Sequence, residues 1–172
     1  MPTDSVREKS LQKCFGCGGL FPRISGPTHK YMLSTSGCWS SYCDLLAREY
    51  ENPVLFGAVH RLTVDAYALQ HPGDTNDRRA IQSVWVHYAA LQLAFDRKRP
   101  LAQIPPVMQK LAGASFPPLP MIPGRFAVTH ADVIAGPLDN HSALVRDWAH
   151  CAYDAWSDLN QPTKEFLNRI GL

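Results

Sequence analysis

The stretch NPVLFGAVHRLTVDAYALQHPG, residues 52–73, predicts the helix around which the rest of the chain packs. Asn52 is a good N-cap, and Pro53 suits the first helical position because the N–H that proline lacks has no helical partner there. Pro72 and Gly73 end the helix, since neither residue continues it. Between these signals the segment is apolar on most sides, which is typical of a buried helix. The stretch therefore predicts a central helix in an all-α fold.

Two further helices are predicted on either side of this stretch, and together the three form a body over residues 39–97. The first begins at or just after Cys38 and runs to Tyr50, with apolar side chains at three- and four-residue steps. Its predicted apolar face consists of Trp39, Tyr42, Cys43, Leu46 and Tyr50. The other runs from about residue 76 to 97, and its predicted core stripe consists of Ile81, Val84, Tyr88, Leu91 and Phe95.

Prolines dominate the segment that follows, residues 98–128, and forbid any long helix there. Because the segment also carries apolar side chains, we expect an extended strap over the helices, with at most a short helical turn near residues 107–111. Residues 129–172 predict the C-terminal helices, the longest of them capped by Asn140. The sequence thus predicts one domain, residues 1–172, in the form of a helical bundle with a proline-rich strap.

Composition excludes several classes of protein. The 17 basic and 15 acidic residues leave a net charge of only +2, so a broad nucleic-acid-binding surface is not expected. No apolar run approaches the roughly 18 residues of a membrane span, and the polar start MPTDSVREKS does not resemble a signal peptide. Five cysteines fit a fully paired disulfide framework poorly. We therefore expect a cytoplasmic protein whose thiols are free or bound to metal.

The first 38 residues are predicted to contain a metal-binding loop. Cys14 and Cys17 have the spacing that lets two thiolates face one metal ion from a tight turn. Two more ligands would complete a tetrahedral site, and Cys38 and His29 are the nearest candidates in sequence. His71 is a reserve ligand, because the end of the central helix could approach the loop. The hypothesis is a zinc site, whereas the alternative is free thiols in a loop and a packed Cys38.

The central helix also carries a polar stripe. His60, Tyr67 and His71 share one face, because residues seven and eleven apart lie on the same side of a helix. Thr63 and Gln70 border this stripe, and Asp65 lies on another face, where it could pair with Arg61. Buried polar groups need partners or a ligand, so this stripe predicts a pocket. The alternative is that each histidine is packed and hydrogen bonded inside the protein.

Four segments in one order resemble those of an uncharacterised bacterial family classed as a domain of unknown function. They are CFGCGGLFP, GPTHKYMLSTSGCW, LAREY and HRLTVDAYALQHPG. The resemblance spans residues 14–73, with a weaker match over residues 145–156, and Cys43 falls where the family has a different residue. It implies no activity, but it groups Cys14, Cys17, His29, Cys38, His60, Asp65 and His71 as one set.

Two classes of function follow from these patterns. A zinc-binding, non-catalytic or regulatory module that binds a protein or small-molecule partner is the first hypothesis, because structural zinc sites are closed by four protein ligands. A small metal-dependent hydrolase is the alternative, with His60 or Asp65 as base and His71 on the same helix. Thiol redox chemistry at Cys14 and Cys17 ranks third, since the strand–helix setting of redox CxxC motifs is missing.

Overall fold

A long helix, α2 (Pro53–Gln70), occupies the centre of the fold in a computed structural model that describes residues 10–120 and 122–172. It begins as predicted, because the Asn52 side chain accepts hydrogen bonds from the backbone N–H groups of Val54 and Leu55 at 3.1 and 3.2 Å. It ends one residue before His71, which is its C-cap.

The remaining elements surround α2. The described residues form a single, mainly helical domain, so the predicted fold class is confirmed. Helices α1, α3 and α6 pack directly on α2. The other helices are α1 (Ser36–Tyr50), α3 (Arg78–Phe95), α4 (Pro105–Leu111), α5 (His130–Ala135), α6 (His141–Ala155) and α7 (Asn160–Arg169).

The core lies between α2 and its neighbours, and large side chains fill it. Leu62 and Leu69 of α2 are fully buried with Tyr88 of α3 and with Trp148 and Trp156 at the C-terminal side. Burial of such side chains from water is the main force that holds the helices together. Within the part of the chain that the structure describes, no helix combines the length and apolarity needed to cross a membrane.

A small antiparallel hairpin precedes the helices, and the sequence did not predict it. Strands β1 (Leu11–Lys13) and β2 (Leu20–Pro22) pair with Gln12 opposite Phe21. Each strand has three residues, which is too short for an alternating pattern to be recognised. The hairpin therefore modifies the predicted metal-binding loop without changing the fold class.

The buried face of α1 differs from the predicted one by about one residue. Besides Gly37, its buried side chains are Cys38, Tyr42, Leu45 and Glu49, again at four- and three-residue steps. Cys43 is exposed, and Tyr50 retains 63% of its accessible surface. The prediction was wrong here because the residue at the end of the true stripe is the charged Glu49, which was not counted as a core residue.

The described part of the proline-rich segment, residues 98–120 and 122–128, packs against both α2 and α3. Pro105 opens the short helix α4, which is the helical turn expected in this segment. Farther on, Phe116 stacks on Trp85 at a ring distance of 5.6 Å, and the Trp85 indole donates a 3.0 Å hydrogen bond to the carbonyl of Pro117. These contacts attach the segment to the body. Met121 of the strap and the polar residues 1–9 lie outside the described residues.

Candidate metal centre

Four potential metal ligands converge where the hairpin, α1 and α2 meet. The ligand atoms of Cys14, Cys17, Cys38 and His71 all lie within 4.8 Å of one another, and all four residues are buried. The Cys17 and Cys38 sulfurs are 4.0 Å apart, and the Cys38 sulfur is 3.2 Å from His71 Nε2. A tetrahedral zinc ion with Zn–S bonds of about 2.3 Å separates two sulfurs by about 3.8 Å. The four side chains therefore have the spacing of a metal site.

Glycines allow the hairpin turn to present Cys14 and Cys17 together. Gly18 has a φ of +76°, in the left-handed region that favours glycine, and its N–H donates to the Cys14 carbonyl at 3.2 Å. Gly16 lies so close to α2 that an added Cβ would be 2.7 Å from the Gln70 carbonyl oxygen. The turn can thus approach the end of α2 only because position 16 has no side chain.

Cys38 is supplied by the first turn of α1. Thr35 caps this helix, and its hydroxyl accepts a 3.4 Å hydrogen bond from the Cys38 backbone N–H. The start of α1 therefore fixes Cys38 in place, with its sulfur 4.0 Å from that of Cys17.

His71 is oriented by a hydrogen bond from its second ring nitrogen. Its Nδ1 lies 2.7 Å from the Tyr67 carbonyl oxygen one turn earlier, and because that oxygen can only accept, Nδ1 carries the proton. The lone pair of Nε2 therefore points toward the Cys38 sulfur. A backbone carbonyl in this role is a common partner of metal-bound histidine. Stacking on the Tyr67 ring at 3.9 Å also holds the imidazole.

The three thiols cannot all ionise in this buried site without a cation. Hydrogen bonds from Cys17 and Cys38 hold the pKa of Cys14 far below its usual range. The hydrogen bond with Cys14 raises the pKa of Cys17 to about 12, and hydrogen bonds with Cys14 and Cys17 also raise the pKa of Cys38. The site thus favours ionisation of Cys14 and opposes ionisation of Cys17 and Cys38. A divalent cation would remove this opposition, since metal ligands bind in the deprotonated form.

His29, the first choice for the fourth ligand from sequence, is not part of this group. It is half-buried beside the start of α1, with its ring 5.5 Å from that of Trp39, and its Nδ1 accepts a 3.2 Å hydrogen bond from the Tyr31 N–H. The reserve residue His71 is in the group instead. Proximity in sequence favoured His29, whereas the fold brings the distant end of α2 against the hairpin turn.

Comparison with known proteins identifies the family but no activity. The model of a family of unknown function (DUF5946) matches residues 12–157. The chain belongs to this family. No curated protein and no solved structure matches the chain. The predicted membership of a family of unknown function is confirmed, and the match contains all four residues of the cluster.

A second polar site in this DUF5946 protein is built on Glu49, which the sequence analysis missed. Its carboxylate is fully buried and accepts hydrogen bonds from Thr63 Oγ1 at 2.6 Å and His141 Nε2 at 3.0 Å through Oε1. Oε2 lies 2.7 Å from His60 Nδ1. Three helices are therefore joined through one carboxylate. The signal in the sequence was the position of Glu49, seven residues after Tyr42 on an otherwise apolar face.

Asp65 forms a separate pair of contacts and does not join the cysteine cluster. The carboxylate is fully buried and takes a 2.9 Å hydrogen bond from Arg61 Nε, as the four-residue spacing predicted. It also lies 2.7 Å from Nδ1 of His87 on α3. His60 and His71 are eleven residues apart on one helix, or about 16 Å. The three residues of the hydrolase hypothesis thus lie in separate environments: His60 contacts Glu49, Asp65 contacts Arg61, and His71 belongs to the cysteine cluster.

The predicted pocket residues Thr63, Tyr67 and Gln70 are all buried, and their polar groups have internal partners. Thr63 bonds to Glu49, and the Tyr67 hydroxyl lies 3.6 Å from the Cys38 sulfur. The Gln70 amide nitrogen donates to the Val128 carbonyl at 2.7 Å, and its oxygen accepts from the Trp148 indole. These three side chains are thus bonded to other residues inside the core and do not form an open surface.

His130 of α5 is a further polar residue near the cluster that sequence analysis did not single out. The ring is fully buried, stacks on Phe21 at 4.8 Å, and neither nitrogen has a hydrogen bond within the described residues. Burial, with a smaller contribution from His71, lowers the pKa of His130 to about 3. The imidazole is therefore neutral and acts as a packing group between the hairpin and α5.

Proposed function

We propose that Cys14, Cys17, Cys38 and His71 bind one zinc ion, and that this protein is a zinc-stabilised binding module. The observation that carries the proposal is the buried group of three sulfurs and one correctly oriented imidazole nitrogen. Thiolate and imidazole ligands suit zinc, and a Cys₃His set is a common structural zinc site. The ion would tie the hairpin turn, the start of α1 and the end of α2 together.

A structural role is favoured over a catalytic one because the protein supplies all four ligands. A catalytic zinc ion keeps a coordination position for water or substrate, which a four-ligand buried site does not offer. His60 and Asp65, the bases of the hydrolase hypothesis, are engaged with Glu49 and Arg61 away from the cluster. The geometry therefore supports the binding-module hypothesis better than the hydrolase hypothesis.

The partner is a protein or small molecule, and nucleic acid is disfavoured by a net charge of only +2. We expect the protein to work in the cytoplasm, since a reducing compartment keeps these cysteines available to the metal. In such a module the zinc ion maintains the shape of the surface that meets the partner. The zinc ion would therefore stabilise the fold and would take no part in a reaction.

Metal analysis of protein purified without added zinc tests the proposal. We expect about one zinc ion per chain, and loss of that ion in Cys14→Ser and Cys17→Ser, with lower thermal stability. Cys43→Ser is the matched control, because Cys43 is an exposed cysteine outside the cluster. It should retain both the metal and the stability of the parent protein.

Other results would contradict the proposal in distinct ways. Equal metal content in Cys14→Ser and Cys43→Ser would mean that the metal binds elsewhere. Metal-free protein in which Cys14 and Cys17 form a disulfide that thiol reagents readily reduce would instead support the redox hypothesis. His71→Ala and His29→Ala separate the two histidines, because only the His71 variant should bind zinc more weakly.

A further inference from the structure

A pocket of about 250 Å³ opens on the side of α2 and is independent of the metal centre. Phe56, Gly57 and Val64 of α2 line one wall, and Leu101, Ala102 and Pro105 line the other. The polar lining residues are His60 and Arg61. Its volume is below the ~300–1,000 Å³ typical of sites for drug-sized ligands, so it suits a small molecule.

Both polar side chains in this pocket are held from behind by buried carboxylates. Glu49 contacts His60 Nδ1, and Asp65 contacts Nε and Nη2 of Arg61. Each carboxylate is fully buried, whereas His60 and Arg61 retain 14% and 21% of their side-chain exposure. The two side chains are thus fixed in position while their outer atoms stay accessible. Such preorganisation lowers the cost of binding.

Of the two histidines that contact Glu49, only His60 lines the pocket. A buried carboxylate is stable only when it is paired, and the candidates are His60 and His141. His141 Nδ1 is buried and has no partner within the described residues, so protonation of His141 would leave a buried N–H unpaired. His60 is therefore the histidine that can donate from both nitrogens, through Nδ1–H to Glu49 and through Nε2–H to a ligand in the pocket.

Arg61 adds a second donor beside His60. Its Nε and Nη2 are used by Asp65, while Nη1 forms no hydrogen bond within residues 10–120 and 122–172. The other lining side chains carry no polar atom, so the pocket offers donors and no side-chain acceptor. A carboxylate, which has two acceptor oxygens, complements two such donors. The exposed ring of Phe56, stacked on His60 at 4.5 Å, extends the apolar wall.

From this arrangement we infer that the pocket binds a small monocarboxylic acid with an apolar or aromatic body. The carboxylate meets His60 Nε2 and Arg61 Nη1, and the body of the ligand packs between Phe56, Val64 and Leu101. The inference does not depend on zinc, because no cluster residue lines the pocket. It supplies a small-molecule partner for a binding module.

Titration of the full-length, isotope-labelled protein with three probes tests the inference by amide NMR. Benzoate should saturably shift the amides of Gly57, Val64 and Ala102. Benzamide, which has the same ring but no charge, should bind about tenfold more weakly, since charge-assisted hydrogen bonds are roughly twice as strong as neutral ones. Acetate lacks the apolar body and should also bind more weakly. Equal affinity for benzoate and benzamide, or shifts confined to other amides, would overturn the inference.

Two kinds of variant test where benzoate binds and whether His60 recognises its carboxylate. An added Cβ at Gly57 meets no atom within 4 Å, so Gly57→Phe can fold and fill the mouth of the pocket, with Gly57→Ala as control. Benzoate binding should be lost in Gly57→Phe and kept in Gly57→Ala. His60→Asn keeps a donor toward Glu49 but removes Nε2, so the ratio of benzoate to benzamide affinity should fall toward one. An unchanged ratio would mean that His60 does not contact the carboxylate.

Discussion

Replacement of Glu49 tests how much the fold depends on one buried carboxylate. Glu49→Leu roughly keeps the size of the side chain but removes the acceptor for His141, which has no other partner for Nε2 in the described structure. Thr63 is less affected, because its hydroxyl also lies 3.4 Å from the Val59 carbonyl oxygen. Removing one member of a buried charged pair costs about 3–5 kcal/mol. For a domain of this size that loss lowers Tm by roughly 6–20 °C.

Glu49→Gln should cost much less, about 1–2 kcal/mol, because charge-assisted hydrogen bonds become neutral ones. The amide oxygen can still accept from Thr63 and His141, while the amide nitrogen can donate to Nδ1 of a neutral His60. The same variant should therefore reduce the preference of the pocket for benzoate over benzamide, while Arg61 still donates to the carboxylate. Urea unfolding gives the free energy of unfolding for each variant.

The control is Glu51→Gln, since Glu51 is exposed and two residues farther along the chain. Its free energy of unfolding should stay within about 0.5 kcal/mol of the parent value. If Glu49→Leu unfolds with a free energy within about 1 kcal/mol of the parent, the carboxylate does not join the helices as described.

Three further changes test the metal centre and its surroundings. Gly16→Ala should weaken zinc binding, because its Cβ would lie 2.5 and 2.7 Å from the backbone oxygens of Leu33 and Gln70. Gly124→Ala, whose Cβ has no atom within 4 Å, should bind zinc like the parent in a competition assay. Zinc binding should release protons from Cys17 and Cys38, because their pKa values are raised and metal ligands bind deprotonated. Zinc affinity should therefore fall as pH falls. Calorimetric titrations in buffers of different ionisation enthalpy measure the protons released. Because the pKa of His130 is lowered to about 3 when folded, the unfolded chain binds the extra proton and stability is lost as pH falls from about 6.5 toward 3. His130→Phe should reduce that loss in acid unfolding curves, and an unchanged pH dependence would contradict the burial of a neutral imidazole.

Local signals were sufficient to predict the helices. Asn52 and Pro53 mark the start of α2, and Thr129 with Asp132 forms the capping box that opens α5, as their sequence spacing indicates. Such signals depend on neighbouring residues alone. They can therefore be recognised in the sequence without knowledge of the tertiary contacts.

The composition of the site could be predicted only in part. The spacing of Cys14 and Cys17 indicates a shared turn, but the fourth member of the cluster comes from the far end of α2. Whether that end or His29 reaches the cysteines depends on how α2 packs, which local spacing does not encode. Glu49 was missed for a related reason, since a charged residue within an apolar stripe is recognised as buried only when its partners on other helices are known.

The positions of the two polar sites along the chain imply an order of assembly during synthesis. All four cluster residues lie within the first 71 residues, whereas the Glu49 network needs His141 from α6. Because synthesis proceeds from the N-terminus, the cluster residues leave the ribosome while α6 is still unmade. A metal ion can thus be captured early and then enclosed as later helices dock. We expect the mature protein to exchange its metal slowly, so that its zinc content reflects the supply of zinc during translation.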